Sequence, residues 1–428
     1  MTSRLLSLVV IGAGAAGFET VRAAREAGYD GSIALIGDEP QLPYDRPPLS
    51  KGFLDGTLAE EGLYFRDREY FDGHNIDLRL GISATEIDCH QRQVGLSNGE
   101  RLRYDWLVFA TGSRPARPPF PVPTDPRVHY LRTIADSEKL RSELASVSRL
   151  AVLGGGFIGL EVAATATAKG VDVAVVEAAP RLLSGRVSDV TSNIVLAHHR
   201  EHGVELHISS PARGVTHHGS ALGIDLVDDR RIEADAIVVA IGATPNTELA
   251  SAAGLTVDRG VLVDTHLRTS DPRIFAIGDC ARFPYSYADG ELWRLESVQN
   301  AVSQGRYVAE LLFGADPSRS VYKEVPRFWS HQGRLRLQMA GLLHDGRDLV
   351  VAAHHDQMHR VVGLHDSTVT VVETVNWPRE HMASRGLIGL RTAFDPAALV
   401  DPALHLAQLT VNQANNSGVI QAASVDRF

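Results

Sequence analysis

Sulfur is scarce in this chain, with two cysteines and four methionines among 428 residues. Cys89 and Cys280 stand too far apart for a C-x-x-C redox or zinc motif, and two thiols cannot build a disulfide framework. They are expected to be small buried hydrophobes in a reducing compartment. No apolar run reaches the ~18 residues that a membrane-spanning helix requires. A basic surplus is missing as well: the net charge is −10 and the pI about 6.0, which excludes general nucleic-acid binding through a cationic footprint. The histidine pairs at 198–199, 217–218 and 354–355 lack chelating spacing, because neighbours point to opposite faces of a strand and H-H matches no ligand pattern on a helix. No metal is expected.

What remains is ordinary for a globular protein, with 44% hydrophobic and 22% charged residues. The length exceeds what one core sustains, so two or three domains are expected. MTSRLLSLVVIGAG runs a short apolar stretch straight into a glycine-rich turn, with no small-residue cleavage site. It reads as a buried first strand and points to a cytoplasmic protein.

Glycine is placed in a repeated pattern. The segment 8-LVVIGAGAAGFETVRAAREAG-28 reads as strand, tight turn and helix, with Gly12, Gly14 and Gly17 as G-x-G-x-x-G and Phe18, Val21 and Ala24 at helical spacing. Such glycines permit a tight turn, close approach of backbone to a pyrophosphate, and close packing of helix on strand. The helix N-terminus then offers free N–H groups to phosphate. The pattern recurs at 150-LAVLGGGFIGLEVAATATAKG-170, where Gly154, Gly156 and Gly159 each follow their counterpart by 142 residues. A strand follows each helix and ends in acid: Asp38 or Glu39 in the first copy, Glu177 in the second. A carboxylate there can accept both hydroxyls of a ribose diol. At the second site it would repel a 2′-phosphate, favouring NADH over NADPH, although Arg181 and Arg186 lie near it in sequence.

Strand-then-glycine segments 105-DWLVFATGSRP-115, 235-DAIVVAIGATPN-246 and 273-RIFAIGDCARF-283 bracket the second copy. The expected fold is α/β with two Rossmann-like dinucleotide-binding domains, the second inserted in the first: 1–113 and 247–322 around 114–246. From about 323 the pattern changes to alternating segments (334–342, 349–355, 360–364, 368–375) and a helical 378-PREHMASRGLIG-389. This predicts a small C-terminal α+β domain with an antiparallel sheet over 323–410. The polar tail 411–428 reads as disordered.

Just after the first copy lies 43-PYDRPPLSK-51, a stiff three-proline loop carrying Arg46 and Lys51. With that tract, both fingerprints, AIGDCARF, RLESVQNA and PRFWSHQG in order, the chain resembles the FAD-dependent, NADH-linked ferredoxin reductases of bacterial oxygenase systems, from about residue 6 to 410. The resemblance implies a glutathione-reductase-like arrangement in which Gly12, Gly14, Ala15, Ala16 and Gly17 cradle the FAD pyrophosphate and Asp38 holds its ribose, with Glu39 adjacent. Arg46, Lys51 and Arg132 would lie along FAD, with Lys51 near the flavin ring. Thr85, Ala110, Thr111, Gly112, Gly278, Glu296 and Ser297 would complete the FAD site. Asp279 would bind the ribityl or phosphate portion and Val298 would contact the isoalloxazine. Gly154, Gly155, Gly156, Phe157, Ile158, Gly159, Glu161, Glu177 and Gly242 would form the NADH site, and Trp329 would stack beside the flavin. Catalytic roles would fall to Lys51, Glu161 and Trp329. Glu161, read as lying in the first turn of its helix, would pair with Lys51 or simply complement the helix dipole.

The implied activity is that of a ferredoxin–NAD(+) reductase: hydride from NADH to FAD, then single electrons to a [2Fe–2S] ferredoxin serving a P450 or Rieske-type oxygenase. The partner would dock near Trp329 through Arg327, Arg334 and Arg336, since a −10 chain needs a local basic patch to meet an acidic protein. His331 and Arg327 depart from the family pattern on that face. Rubredoxin, quinone or oxygen as acceptor, or a slowly turning over signalling flavoprotein, are the rival readings. A disulfide reductase is disfavoured, because PLSKGFLDG supplies no cysteine beside the first fingerprint. Trp106 and Trp293 are expected to pack rather than touch cofactor, and the protein to be a monomer or homodimer.

Overall fold

Long apolar runs with few polar interruptions make strands that are buried on both faces, and such strands belong in parallel sheets. In the computed structural model, which describes residues 6–315, 320–343, 348–354, 357–401 and 403–409, they form two such sheets. The first runs in the order Ile274–Ala276, Trp106–Phe109, Ser7–Ile11, Ser32–Gly37, Ile76–Leu80, all parallel. The second runs Glu205–His207, Asp172–Val176, Arg149–Leu153, Ala236–Val239, Val128–His129, again all parallel. Every strand of the second sheet falls, in sequence, between Phe109 and Ile274 of the first. The chain therefore leaves one parallel sheet, completes another, and returns.

Exit and return are tied together. Ser113–Pro115 pairs antiparallel with Ala243–Pro245, and the Asn246 side chain and backbone bond Thr111 and Gly112. Two antiparallel three-stranded sheets accompany the parallel ones: Ala84–Asp88 with Gln93–Leu96 and Arg101–Arg103, and Ala212–His218 with Ala221–Leu226 and Arg231–Ala234. Leu222, Ile224 and Leu226 of the second join the core formed by Leu153, Val176 and Val239 of its neighbouring parallel sheet.

By compactness the chain divides into two units: residues up to Leu182 with His199–Pro326, and Leu183–His198 with residues from Arg327 on. The second unit is a five-stranded antiparallel sheet in the order Arg327–Gln332, Leu335–Gly341, Thr368–Val375, Met358–His365, Asp348–His354, with the helix Pro378–Leu390. Four strands and the helix follow the sequence reading. The fifth, Arg327–Gln332, does not, because RFWSHQ has no clean apolar alternation and is fixed instead by six register partners on Leu335–Ala340. Pro378 opens the helix where its missing N–H costs nothing.

Charge buried in this unit finds partners of opposite sign or hydrogen-bond donors. Arg360, 0% exposed, meets Glu380 at 2.5 Å and donates to the carbonyls of Leu399, Asp401 and Leu404. Glu373 accepts from the Ser188 backbone N–H at 2.7 Å and from the hydroxyls of Ser188 and Thr191, at the start of the helix Asp189–Glu201. Burial pushes the Glu373 carboxyl up, and those three donors oppose the shift. Residues 411–428, expected to be a disordered tail, lie outside the described residues, as does His355 of the third histidine pair.

Candidate functional site

The two glycine fingerprints fold alike. Gly12 has φ +110° and Gly154 φ +113°, conformations that favour glycine. A Cβ on Gly12 would lie 2.1 Å from the Ala110 carbonyl oxygen, and one on Gly154 would lie 2.4 Å from that of Ala240. On Gly17 and Gly159 it would meet the carbonyls of Gly12 and Gly154 at 1.9 and 2.2 Å. These four glycines are demanded by the protein's own backbone.

Gly14 and Gly156 are different. A Cβ on Gly14 would meet nothing within 4 Å, and on Gly156 only the Ala240 carbonyl at 4.0 Å. The space beside each is open. Each also heads a helix, Ala15–Glu26 and Phe157–Ala168, whose N-terminus has no side-chain cap, whereas the helix Val298–Phe313 is capped by Ser297. Unfilled space beside uncapped N–H groups fits a pyrophosphate at both places. Ala15, Ala16 and Gly17 supply those groups in the first copy, Phe157, Ile158 and Gly159 in the second. Ile158 is 45% exposed.

The two acids of the first copy are separated by the structure. Glu39 is taken up by Arg46 at 2.6 Å and by the Tyr44 hydroxyl at 2.6 Å, while Asp38 stands exposed just past the strand end. Arg46 also donates to Tyr44 and to the Arg132 carbonyl, at 2.8 and 2.7 Å. Burial and then the neighbouring Arg46 charge hold Arg132 below its ordinary value; Asp279, 3.5 Å away, opposes them. Asp279 is further fixed by the Ser113 hydroxyl at 2.8 Å. Two close guanidiniums at one side of the first fingerprint are suited to an anion. Arg294 links Glu296, at 2.6 Å, to the Asp279 carbonyl, and Val298 is the first residue of its helix. Gly278 donates to Gln304. Thr85 is exposed on the three-stranded sheet, its hydroxyl donating to the Gly95 carbonyl.

The tract 43–51 is a short 3₁₀ turn, Pro47–Ser50, leading into Gly52–Asp55. Lys51 Nζ lies 2.6 Å from Glu161 Oε2 and also donates to the Pro47 carbonyl at 2.9 Å. The same Glu161 oxygen accepts the Ser50 hydroxyl. Glu161 does not lie where its expected place in the first turn of the helix would put it. The helix begins at Phe157, so Glu161 is in its second turn and not its first; its charge answers Lys51 rather than the helix dipole. Sequence reasoning does not single out Ser50, Thr165 or Ser113. Their partners lie more than 100 residues away, and no local spacing signals them.

Glu177 stands just past the second copy's next strand. Its Oε2 accepts from the Gly155 N–H at 2.6 Å and its Oε1 from that of Ala179 at 2.7 Å. The carboxylate is thereby oriented at the glycine turn, with lone pairs left for hydroxyl donors. Gly242, with φ +116°, accepts from the Ala116 N–H.

Neither cysteine lies on the tract. Cys280 is fully buried, which pushes its thiol up, and Cys89 donates to the Ala253 carbonyl. Histidines 217 and 218 face Asp125 and Glu233. In the second unit, the pairing of Trp329 with Gln338 and of His331 with Arg336 puts Arg327, Trp329, His331 and Arg336 on one face, with Arg334 in the hairpin turn. Trp106 packs against Phe275, with ring centroids 6.2 Å apart.

Known proteins share both halves of this arrangement. The profile of the family described as pyridine nucleotide-disulphide oxidoreductase matches residues 6–305, and that of the reductase C-terminal domain matches 327–410. Rhodocoxin reductase of Rhodococcus erythropolis is 42% identical, covering 98% of this chain and 98% of that one. Putidaredoxin reductase of Pseudomonas putida is 38% identical, covering 94% and 96%. The solved structure of the covalent putidaredoxin reductase–putidaredoxin complex superposes with a TM-score of 0.89 at 37% identity, covering 96% of this chain and 99% of that chain.

Proposed function

Because the chain belongs to the pyridine nucleotide-disulphide oxidoreductase family, whose members bind FAD and NAD(P)H, we propose that it is an NADH-dependent flavoprotein reductase that delivers electrons singly to a [2Fe–2S] ferredoxin of an oxygenase system. Residues 1–113 with 247–322 are read as the FAD-binding domain and 114–246 as the NADH-binding domain. The observation that carries the proposal is the Lys51–Glu161 contact. It joins the tract beside the first fingerprint to the helix of the second, at a place where a disulfide reductase would need sulfur and this chain has Ser50. The partners named in its relatives, rhodocoxin and putidaredoxin, support a ferredoxin-type acceptor.

FAD, when bound, accepts a two-electron hydride and releases electrons one at a time. The chain's own residues position the reactants. The uncapped N–H groups behind Gly14 and the Arg46–Arg132 pair would hold the FAD phosphates, and Asp38 its ribose. Those behind Gly156 would hold the NADH pyrophosphate. Glu177, oriented by two backbone N–H groups, would take the ribose diol and repel a 2′-phosphate. Lys51 would place a cation beside the flavin, favouring the electron-rich reduced form, while Glu161 holds that cation in place. Arg327, Arg334 and Arg336 around Trp329 would receive an acidic partner. A cytoplasmic location belongs to the same reading; among the described residues no helix is long and apolar enough to cross a membrane.

Steady-state assays with NADH and NADPH, each against a [2Fe–2S] ferredoxin, a rubredoxin and a small disulfide, test this reading. It expects NADH and the ferredoxin to be preferred. Efficient disulfide reduction, or preference for NADPH, would contradict it.

A further inference from the structure

The helix Phe157–Ala168, which comes after the second fingerprint, carries a polar stripe on an otherwise apolar or small-residue body. Glu161, Thr165 and the capping Lys169 recur every four residues and so share one face. All three meet the proline tract and its continuation. Glu161 Oε2 takes the Ser50 hydroxyl and, at 2.6 Å, Lys51 Nζ. The Thr165 hydroxyl donates to the Ser50 carbonyl at 3.1 Å. Lys169 Nζ donates to the Asp55 carbonyl at 2.9 Å. Val162, Ala163 and Ala166, between them, are completely buried.

At 1.5 Å per residue the stripe spans about 12 Å of helix. A single contact, such as Lys51–Glu161, leaves a pivot; three contacts along a line fix both distance and direction. Ser50 is held at both ends, its side chain by one helical turn and its carbonyl by the next. The tract is also pinned from elsewhere, because the Ser137 hydroxyl donates to the Leu49 carbonyl at 2.7 Å.

We propose that the Glu161–Thr165–Lys169 stripe, read by Ser50 and Asp55, is the ruler that sets the nicotinamide site against the flavin site, and that Thr165 and Ser50 are positioning residues for hydride transfer. The inference rests on the reading of the chain as an NADH-to-FAD reductase. Its physical basis is the steep distance dependence of the reaction: a misplacement of about 1 Å costs on the order of 100-fold in rate. The NADH phosphates would be held at the start of this helix and Lys51 lies against its second turn, so a shift of the helix along the tract alters the reacting distance without altering either binding site.

Thr165→Val keeps shape and removes the hydroxyl donor. Flavin reduction by NADH in a stopped-flow mixer should slow by about tenfold, the NADH dissociation constant should stay unchanged, and the long-wavelength absorbance of nicotinamide stacked on flavin should weaken. Thr165→Ser should restore both rate and band. Lys169→Ala, at an exposed position where folding is not at stake, should act in the same direction and less strongly. A Thr165→Val protein with wild-type rate and band would overturn the inference, as would a loss confined to NADH affinity or thermal stability. Failure of the wild-type protein to be reduced by NADH would instead overturn the underlying functional reading.

Discussion

Lys51 Nζ lies 2.6 Å from Glu161 Oε2, with the lysine side chain 20% exposed and the glutamate 5%, so a nearly buried charge pair joins the tract after the first glycine fingerprint to the helix of the second. Removing one partner strands the other. Glu161→Gln and Lys51→Met should each slow flavin reduction by NADH at least about tenfold, and a double-mutant cycle on that rate should give a coupling of about 1–3 kcal/mol. Additive effects would mean the pair does not act as a unit.

The backbone geometry of the two fingerprints separates two phenotypes. Gly12→Ala drives a Cβ into the Ala110 carbonyl and should yield protein without visible flavin absorbance. Gly154→Ala makes the corresponding clash with Ala240 in the second copy and should yield yellow protein that dithionite reduces but NADH does not. The positive φ alone adds about 1–3 kcal/mol of backbone strain in each case, on top of the clash. Absorbance spectra before and after each reductant decide the assignment.

Reversing Arg327, Arg334 and Arg336 to glutamate should slow ferredoxin reduction at low salt and leave NADH-to-ferricyanide turnover intact. The deficit should shrink as salt screens the encounter. Equal loss of both activities would place these arginines outside the docking face.

His381, in the helix of the second unit, is pushed down to about 4 from an ordinary 6.5 by burial and then by the Arg327 charge. The unfolded chain therefore binds this proton more readily, and its contribution to stability, complete above pH 6.5, is lost as the pH falls toward 4. Thermal unfolding between about pH 7 and 4 should show this loss, reduced in Arg327→Gln and absent in His381→Phe. An unchanged pH profile in His381→Phe would assign the acid sensitivity to other groups.

The parts of the molecule readable from sequence are those set by local rules. Gly12 and Gly154 announce themselves because the turn, the strand before it and the helix after it are contiguous. The inserted topology is readable because strand-then-glycine segments bracket the second copy and one of them, 273–283, follows it. That Glu39 and not Asp38 meets Arg46 and Tyr44 is not readable, since that contact is made in space. Ser50, Thr165 and Ser113 stay hidden for the same reason: each is chosen by a partner more than 100 residues away. Glu161 reads one turn early because the glycine run does not mark where helical hydrogen bonding begins. The two small antiparallel sheets at 84–103 and 212–234 escape a sequence reading because strands such as Ala84–Asp88 and Ala212–His218 carry polar, exposed residues that leave a weak alternation signal.

In the proposed route electrons enter as a hydride from NADH and leave singly to a ferredoxin, with no thiol between. An anaerobic titration measures this directly: reduce the flavin with one equivalent of NADH, then add oxidised [2Fe–2S] ferredoxin and follow both chromophores. Complete bleaching by NADH, reoxidation by two equivalents of ferredoxin, and the same stoichiometry in a Cys89→Ser, Cys280→Ala variant are expected. Flavin that reduces but is reoxidised only by a disulfide, or a ferredoxin reaction that requires either cysteine, would contradict it.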